Sequence, residues 1–188
     1  MNSCAACAFQ YDDQALIDVP ERLRLLAGEI GDRLTPAKDG ALRRRPAEGV
    51  WSPLEYGCHV RDVLLVQRER ILLALTEDTP AFASMERDER VQREHYNEQS
   101  PTVVAGQLSA AAAALATTLA ALGDDEWRRS GVYRWPTTEI RTIGWISRHT
   151  VHELIHHLRD IDAGLQAATA AGTSELAVSR PAGSDPPA

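Results

Sequence analysis

Four of the six histidines in the chain fall within one short stretch: His149, His152, His156 and His157. On an α-helix, His152 and His156 stand one turn apart on the same face, with His149 and Asp160 above and below them. Two imidazoles at that spacing bind one divalent metal with little rearrangement of the backbone. The same stretch also reads His152-Glu153-x-x-His156, the signature of zinc-protease helices. A protease would need Glu153 as base, a third ligand downstream and a sheet upstream to hold substrate. Arg159 and Asp162 stand where the longer protease signature has Gly and His, and no strand pattern precedes the helix. A third imidazole from a facing helix fits better. It would complete a set of three neutral ligands with an open fourth position, the pattern of catalytic rather than structural zinc.

His59 is the candidate for that third ligand. It lies two turns inside a helix that Ser52-Pro53-Leu54-Glu55 starts well, with Ser52 as cap, Pro53 in the first turn and Glu55 completing a capping box. That helix is expected to run to about Thr76, with Val63, Leu64, Ile71, Leu72 and Leu75 as its apolar surface. The candidate metal ligands are therefore His59, His152 and His156. Asp62 and Asp160, each one turn from a candidate, are placed to hold an imidazole N–H. Glu153 is expected off the ligand face, and His157 to be rotated away toward the surface. His95 is the remaining histidine, in a long connection.

The other elements follow from caps and apolar spacing. Asp18-Val19-Pro20-Glu21 predicts a helix start, and Leu23, Leu26, Ile30 and Leu34 continue it to Thr35-Pro36. Arg43, Arg44 and Arg45 read as a solvated loop. Residues 77–99 form a long link able to cross the end of a bundle and roof a pocket. Ser100-Pro101 begins a third helix, rich in alanine and spaced by Val104, Leu108, Leu115 and Leu119, which Gly123-Asp124 stops. Trp127 through Pro136 reads as a loop. Thr137 or Thr138 is expected to cap a final helix carrying the histidines, with Gly164 as its stop. The expectation is an all-α fold, an antiparallel four-helix bundle with a long crossover between helices 2 and 3. The domain reading is an N-terminal extension at 1–17, a bundle at 18–165 and a disordered tail at 166–188.

Composition narrows the function. The formal net charge is −7 with no basic block, which argues against nucleic acid or an anionic membrane as partner. No apolar run was expected to reach the roughly 20 residues that span a bilayer, and no signal peptide is evident, so the expected location is cytoplasmic. Three cysteines are too few for a disulfide scaffold. Cys4 and Cys7 form a lone C-x2-C, open to three readings: a reduced N-terminus, a disulfide, or part of a small second metal clip. Cys58 reads as a small buried hydrophobe.

Trp51-Ser52-x-x-Glu55-x-x-x-His59-Val60-x-Asp62, followed much later by His152-Glu153-x-x-His156-His157, resembles the DinB/YfiT-like superfamily over roughly residues 18–165. The resemblance implies a four-helix bundle with three histidines around a divalent metal: zinc, with nickel or iron as alternatives. Position by position these histidines are His59, His152 and His156. It further implies a transferase or isomerase that uses a low-molecular-weight thiol such as mycothiol or bacillithiol as co-substrate. The expected activity is thiol S-transfer to a small electrophile, by a homodimer. Tyr96, Tyr133, Trp135 and Arg141 are the pocket candidates. A metal-dependent hydrolase and a non-catalytic, stress-linked metal-binding module are the alternatives.

Overall fold

A computed structural model describes residues 3–134 and 137–178. Four long helices make the bundle: α1 (Val19–Leu34), α3 (Pro53–Thr76), α5 (Pro101–Ala120) and α7 (Ile143–Val178). Three short helices sit in the connections, α2 (Asp39–Arg43), α4 (Arg87–Arg93) and α6 (Asp124–Arg128). Both α1 and α3 pack against α5 and α7. Helix directions follow from which residues meet. Arg61 reaches Gln107 at 2.7 Å and Arg68 reaches Thr118 at 3.1 Å, so α3 and α5 advance together. Arg33 meets Asp162 at 3.1 Å and Leu16 sits beside Gly144, so α1 and α7 also share a direction. Two helices run one way and two the other, and the crossover at 77–100 is what returns the chain to start α5 alongside the start of α3.

The sequence signals act where their chemistry is complete. Ser52 Oγ accepts from the Glu55 N–H at 3.2 Å, and Glu55 returns the bond to the Ser52 N–H at 2.7 Å. Glu55 is buried, so its charge needs a partner, and Arg45 supplies one at 2.9 Å. Arg43 donates to the carbonyls of Asn97 and Gln99. Arg43 and Arg45 are thus clamps rather than solvated loop residues. Asp18 does not cap α1. A 3-10 turn over Leu16–Asp18 leads straight into the helix, so Asp18 is already in the right-handed helical conformation and its side chain makes no cap bond.

Three further expectations change around α7. The expected loop after Trp127 contains an antiparallel hairpin, β1 (Ser130–Tyr133) with β2 (Glu139–Thr142). The crossover joins it: the Phe82 N–H donates to the Val132 carbonyl at 3.1 Å, and the Val132 N–H to Pro80 at 2.8 Å. A Cβ at Gly131 would lie 2.2 Å from the Phe82 ring, so glycine is what lets that ring sit on the strand. The cap of α7 is Thr142, whose Oγ1 accepts from the Trp145 N–H at 3.1 Å, while Thr137 bonds Glu139 instead. Gly164 does not stop the helix, which continues to Val178. A Cβ there would be 2.9 Å from the Pro53 ring. Its role is close approach of α7 to the start of α3.

Helix α5, 20 residues long, is apolar enough by length and composition to cross a membrane. Its leucines, valines and alanines together account for this, and Leu108, Ala112, Leu115 and Ala116 are buried in the bundle.

Candidate functional site

The histidine helix offers two faces to two different neighbours. Successive residues on an α-helix are rotated by about 100°, so the pair 152/156 and the pair 153/157 cannot point the same way. The face turned to α3 carries Glu153 and His157. With His59 of α3 they bring three ligand atoms within 4.8 Å of one another. The face carrying His152 and His156 meets the N-terminal segment, where Cys4 and Cys7 complete a second group, again with all ligand atoms within 4.8 Å. Among the described residues, His59 shares no such group with His152 and His156. The structure thus divides the expected triad between two clusters. Glu153, expected off the ligand face, is central to the first cluster, and His157, expected at the surface, has a side chain only 12% exposed.

Each member of the first cluster is positioned by packing. His59 is buried, with the Trp51 ring centre 5.1 Å from its own in an edge-on arrangement. The His59 and His157 rings meet edge to face at 4.9 Å, and Tyr56 stacks on His157 at 5.2 Å. His157 Nε2 lies 3.5 Å from Glu153 Oε2. Its Nδ1 lies 2.8 Å from Asp160 Oδ2, and since the carboxylate can only accept, the ring donates. Asp160 therefore does hold an imidazole, that of His157. Asp62 holds none: it accepts from Arg61 at 2.8 Å, Arg90 at 3.1 Å and Tyr96 at 2.5 Å.

The electrostatics suit a cation. Burial pushes the His59 imidazole down to about 3, reinforced by the neighbouring His157, so His59 is neutral at pH 7. Its Nδ1 is buried with no hydrogen-bond partner among the described residues. Burial alone would raise the Glu153 carboxyl, but the neighbouring His152 and His157 imidazoles hold it well below the usual range. Burial likewise disfavours a charged His157, yet its bonds to Asp160 and Glu153 outweigh that and carry it up to about 9. A buried proton thus sits on His157 beside an ionised Glu153 and an orphaned His59 nitrogen. A divalent ion would replace that proton, and two imidazoles with one carboxylate are a known catalytic zinc set with a position left open. The residues fit a metal.

His59 and Glu153 also wall a cavity of about 360 Å³, together with Gln67, Arg70, His149 and Tyr133. The crossover roofs it through residues 83–89. Gln67 donates to the Tyr133 hydroxyl at 2.9 Å, and Arg70 lies over the Tyr133 ring at 4.9 Å and bonds the Ala83 carbonyl at 2.7 Å. Tyr133 is thus a wall residue, as expected. Tyr96 instead lies buried against Asp62, Arg141 lies over the Trp145 ring, and Trp135 falls outside the described residues. His149 shares a 2.8 Å hydrogen bond with Tyr11, and burial pushes it down to about 4. His95 is in the crossover, next to Glu98 and away from both clusters.

A family model matches residues 22–161, which carry all four bundle helices and both clusters except the cysteines: that of the DinB superfamily. The chain belongs to the DinB superfamily. Its fold is similar to that of YfiT from Bacillus subtilis, described as a probable metal-dependent hydrolase with an unusual four-helix bundle topology. That likeness has a TM-score of 0.74 at 20% identity and covers 87% of this chain and 88% of that one. It is also similar to a mycothiol-dependent maleylpyruvate isomerase, with a TM-score of 0.65 at 15% identity over 81% of this chain. The match spans 63% of the isomerase chain. No curated protein matches the chain in sequence. This member of the superfamily therefore has a bundle like its neighbours, and its own residues must argue its chemistry.

The sequence analysis places Glu153 off the ligand face and His157 toward the surface, whereas the structure brings both beside His59. Glu153-x-x-x-His157 has the same helical spacing as His152-x-x-x-His156. Histidine was favoured over carboxylate as the ligand type, and nothing in the spacing says which pair faces α3.

Proposed function

We propose that the protein is a metal-dependent enzyme whose reaction centre is His59, Glu153 and His157, the first two at the wall of the cavity beneath the crossover. The observation that carries this reading is the coincidence of a buried, neutral imidazole and an ionised carboxylate at the wall of a cavity, with a carboxylate-held histidine beside them. A divalent metal, with zinc first among the candidates, supplies a Lewis acid there that holds a thiol as thiolate or lowers the pKa of a water. Asp160 fixes the orientation and proton of His157 through Nδ1, leaving Nε2 toward Glu153. Burial keeps His59 unprotonated and available. The crossover and Tyr133 exclude bulk water and hold a small substrate against this wall. We assign the reaction as transfer of a low-molecular-weight thiol of the mycothiol or bacillithiol type to a small electrophile, in the cytoplasm, by a homodimer. The mycothiol-dependent isomerase among the structural neighbours supports a thiol co-substrate, and YfiT supports hydrolysis as the second reading.

The test is titration of the zinc-loaded protein with mycothiol, bacillithiol and glutathione. Saturable binding of one thiol, lost in His59→Ala, is the expected result. Metal at this site with no thiol binding would transfer the assignment to the hydrolase.

A further inference from the structure

The C-x2-C of the N-terminal segment is not absorbed by this reaction centre, and it faces two histidines that the centre does not use. We propose that Cys4, Cys7, His152 and His156 form a second metal site, a structural zinc that fastens the N-terminal segment to α7. The inference stands apart from the proposed reaction, since none of its four ligands belongs to the first cluster.

Geometry makes the case. The four ligand atoms lie within 4.8 Å of one another although the cysteines and histidines are far apart in the chain. Tetrahedral zinc with bonds of about 2.3 Å to sulfur and 2.0–2.1 Å to nitrogen requires an S···N edge of about 3.5 Å. Cys4 Sγ lies 3.7 Å from His156 Nδ1. The donor set is chemically selective, since two soft thiolates with two imidazoles favour zinc over the oxygen-seeking cations. It also closes the coordination shell, as structural sites do, where the first cluster has only three protein ligands. The sequence spacing agrees: two residues between the cysteines, three between the histidines.

The segment is folded to suit. The Cys4 N–H donates to the Phe9 carbonyl at 2.9 Å, and Ser3 bridges Gln10 in antiparallel fashion, closing a tight loop around both thiols. Ala8, just after Cys7, has φ of 58°, a left-handed conformation that a non-glycine residue adopts at a cost. Arg159 of α7 donates to the Ala6 carbonyl at 3.2 Å, and Phe9 packs on the His152 ring at 5.5 Å. Zinc held by two thiolates and two neutral imidazoles is electrically neutral, and the protons that these four groups carry in the metal-free protein pass to solvent as the metal enters. His152 Nδ1 lies 3.3 Å from Glu153 Oε1. The carboxylate of the first cluster thus also lies beside a ligand of the second, without a hydrogen bond to it among the described residues.

The test uses the full chain, reduced and loaded with cobalt(II) or zinc. Wild type should take up about two ions per chain and show a thiolate-to-cobalt charge-transfer band. Cys4→Ser/Cys7→Ser should retain about one ion and lose the band. His59→Ala should also retain about one ion but keep the band, so failure of the reaction centre and failure of this site read out differently. If the double cysteine variant does not fold, the His59→Ala spectrum decides alone. A cobalt-loaded His59→Ala protein without the band would overturn the proposal. So would a disulfide between Cys4 and Cys7 that persists in reductant, or unchanged stoichiometry in a folded cysteine variant.

Discussion

Helix α7 presents two pairs of potential ligands, one step apart in sequence and with identical spacing. Glu153 and His157 face α3, where a third ligand, a cavity and a roof are waiting. His152 and His156 face a short loop that brings two thiols. The first face has three oxygen and nitrogen donors and an opening, which suits reaction chemistry. The second has four donors including sulfur, enough to close a tetrahedral shell, which suits a staple. The difference lies in what stands opposite each pair. A helix sets the spacing of potential ligands, and the partner element decides what they become.

The variant with the largest expected effect is Glu153→Gln, because Glu153 touches both faces. It should abolish metal uptake at the His59 centre and also weaken the second site through His152, as measured by metal content and by the cobalt spectrum. Loss confined to one face would show that the two are independent. Asp160→Asn acts mainly on the first face, because Asp160 Oδ2 lies 2.8 Å from His157 Nδ1 and 3.8 Å from His156 Nε2. It should cost on the order of 10–100-fold in metal affinity at the His59 centre, the usual penalty for removing the partner of a ligating histidine. The thiolate band should not change.

A pH titration sharpens the same contrast. In the metal-free protein the His157 imidazole is raised above its ordinary value of 6.5, to about 9. The stability it contributes is therefore complete below about pH 6.5 and lost as pH rises through about 9. Metal-free protein should melt progressively lower across that window, and Asp160→Asn should flatten the trend. The smallest effect is expected from Gly164→Ala, whose Cβ would meet the Pro53 ring at 2.9 Å. Overpacking of this kind costs about 1–3 kcal/mol. At roughly 2–4 °C per kcal/mol for a chain this size, it should appear as a modest fall in Tm. It should loosen the α3-facing centre more than the cysteine site, readable as a greater loss of affinity there.

Most of the fold was legible because its signals are local. The capping box at Ser52, the prolines at 53 and 101 and the apolar spacing of α1 and α5 each act within a turn or two of chain. The hairpin was hidden because its strands have four residues each and depend on Phe82 from the crossover filling the space at Gly131. Gly164 was misread for a related reason: a glycine needed for helix contact looks, in sequence, like one that ends a helix. The presence of a metal-binding helix was legible too, from the density of histidines. Which residues share a metal was not. That depends on the rotation of α7 about its own axis, set by packing such as Gly164 on Pro53, and a single step of rotation exchanges one pair for the other.

The central claim is that α7 ligates metal on two faces with different partners. Zinc-edge anomalous diffraction from crystals of the zinc-loaded protein tests it most directly. Two anomalous peaks per chain are predicted, one among His59, Glu153 and His157 and the other among Cys4, Cys7, His152 and His156. A single peak bound jointly by His59, His152 and His156 would contradict the account.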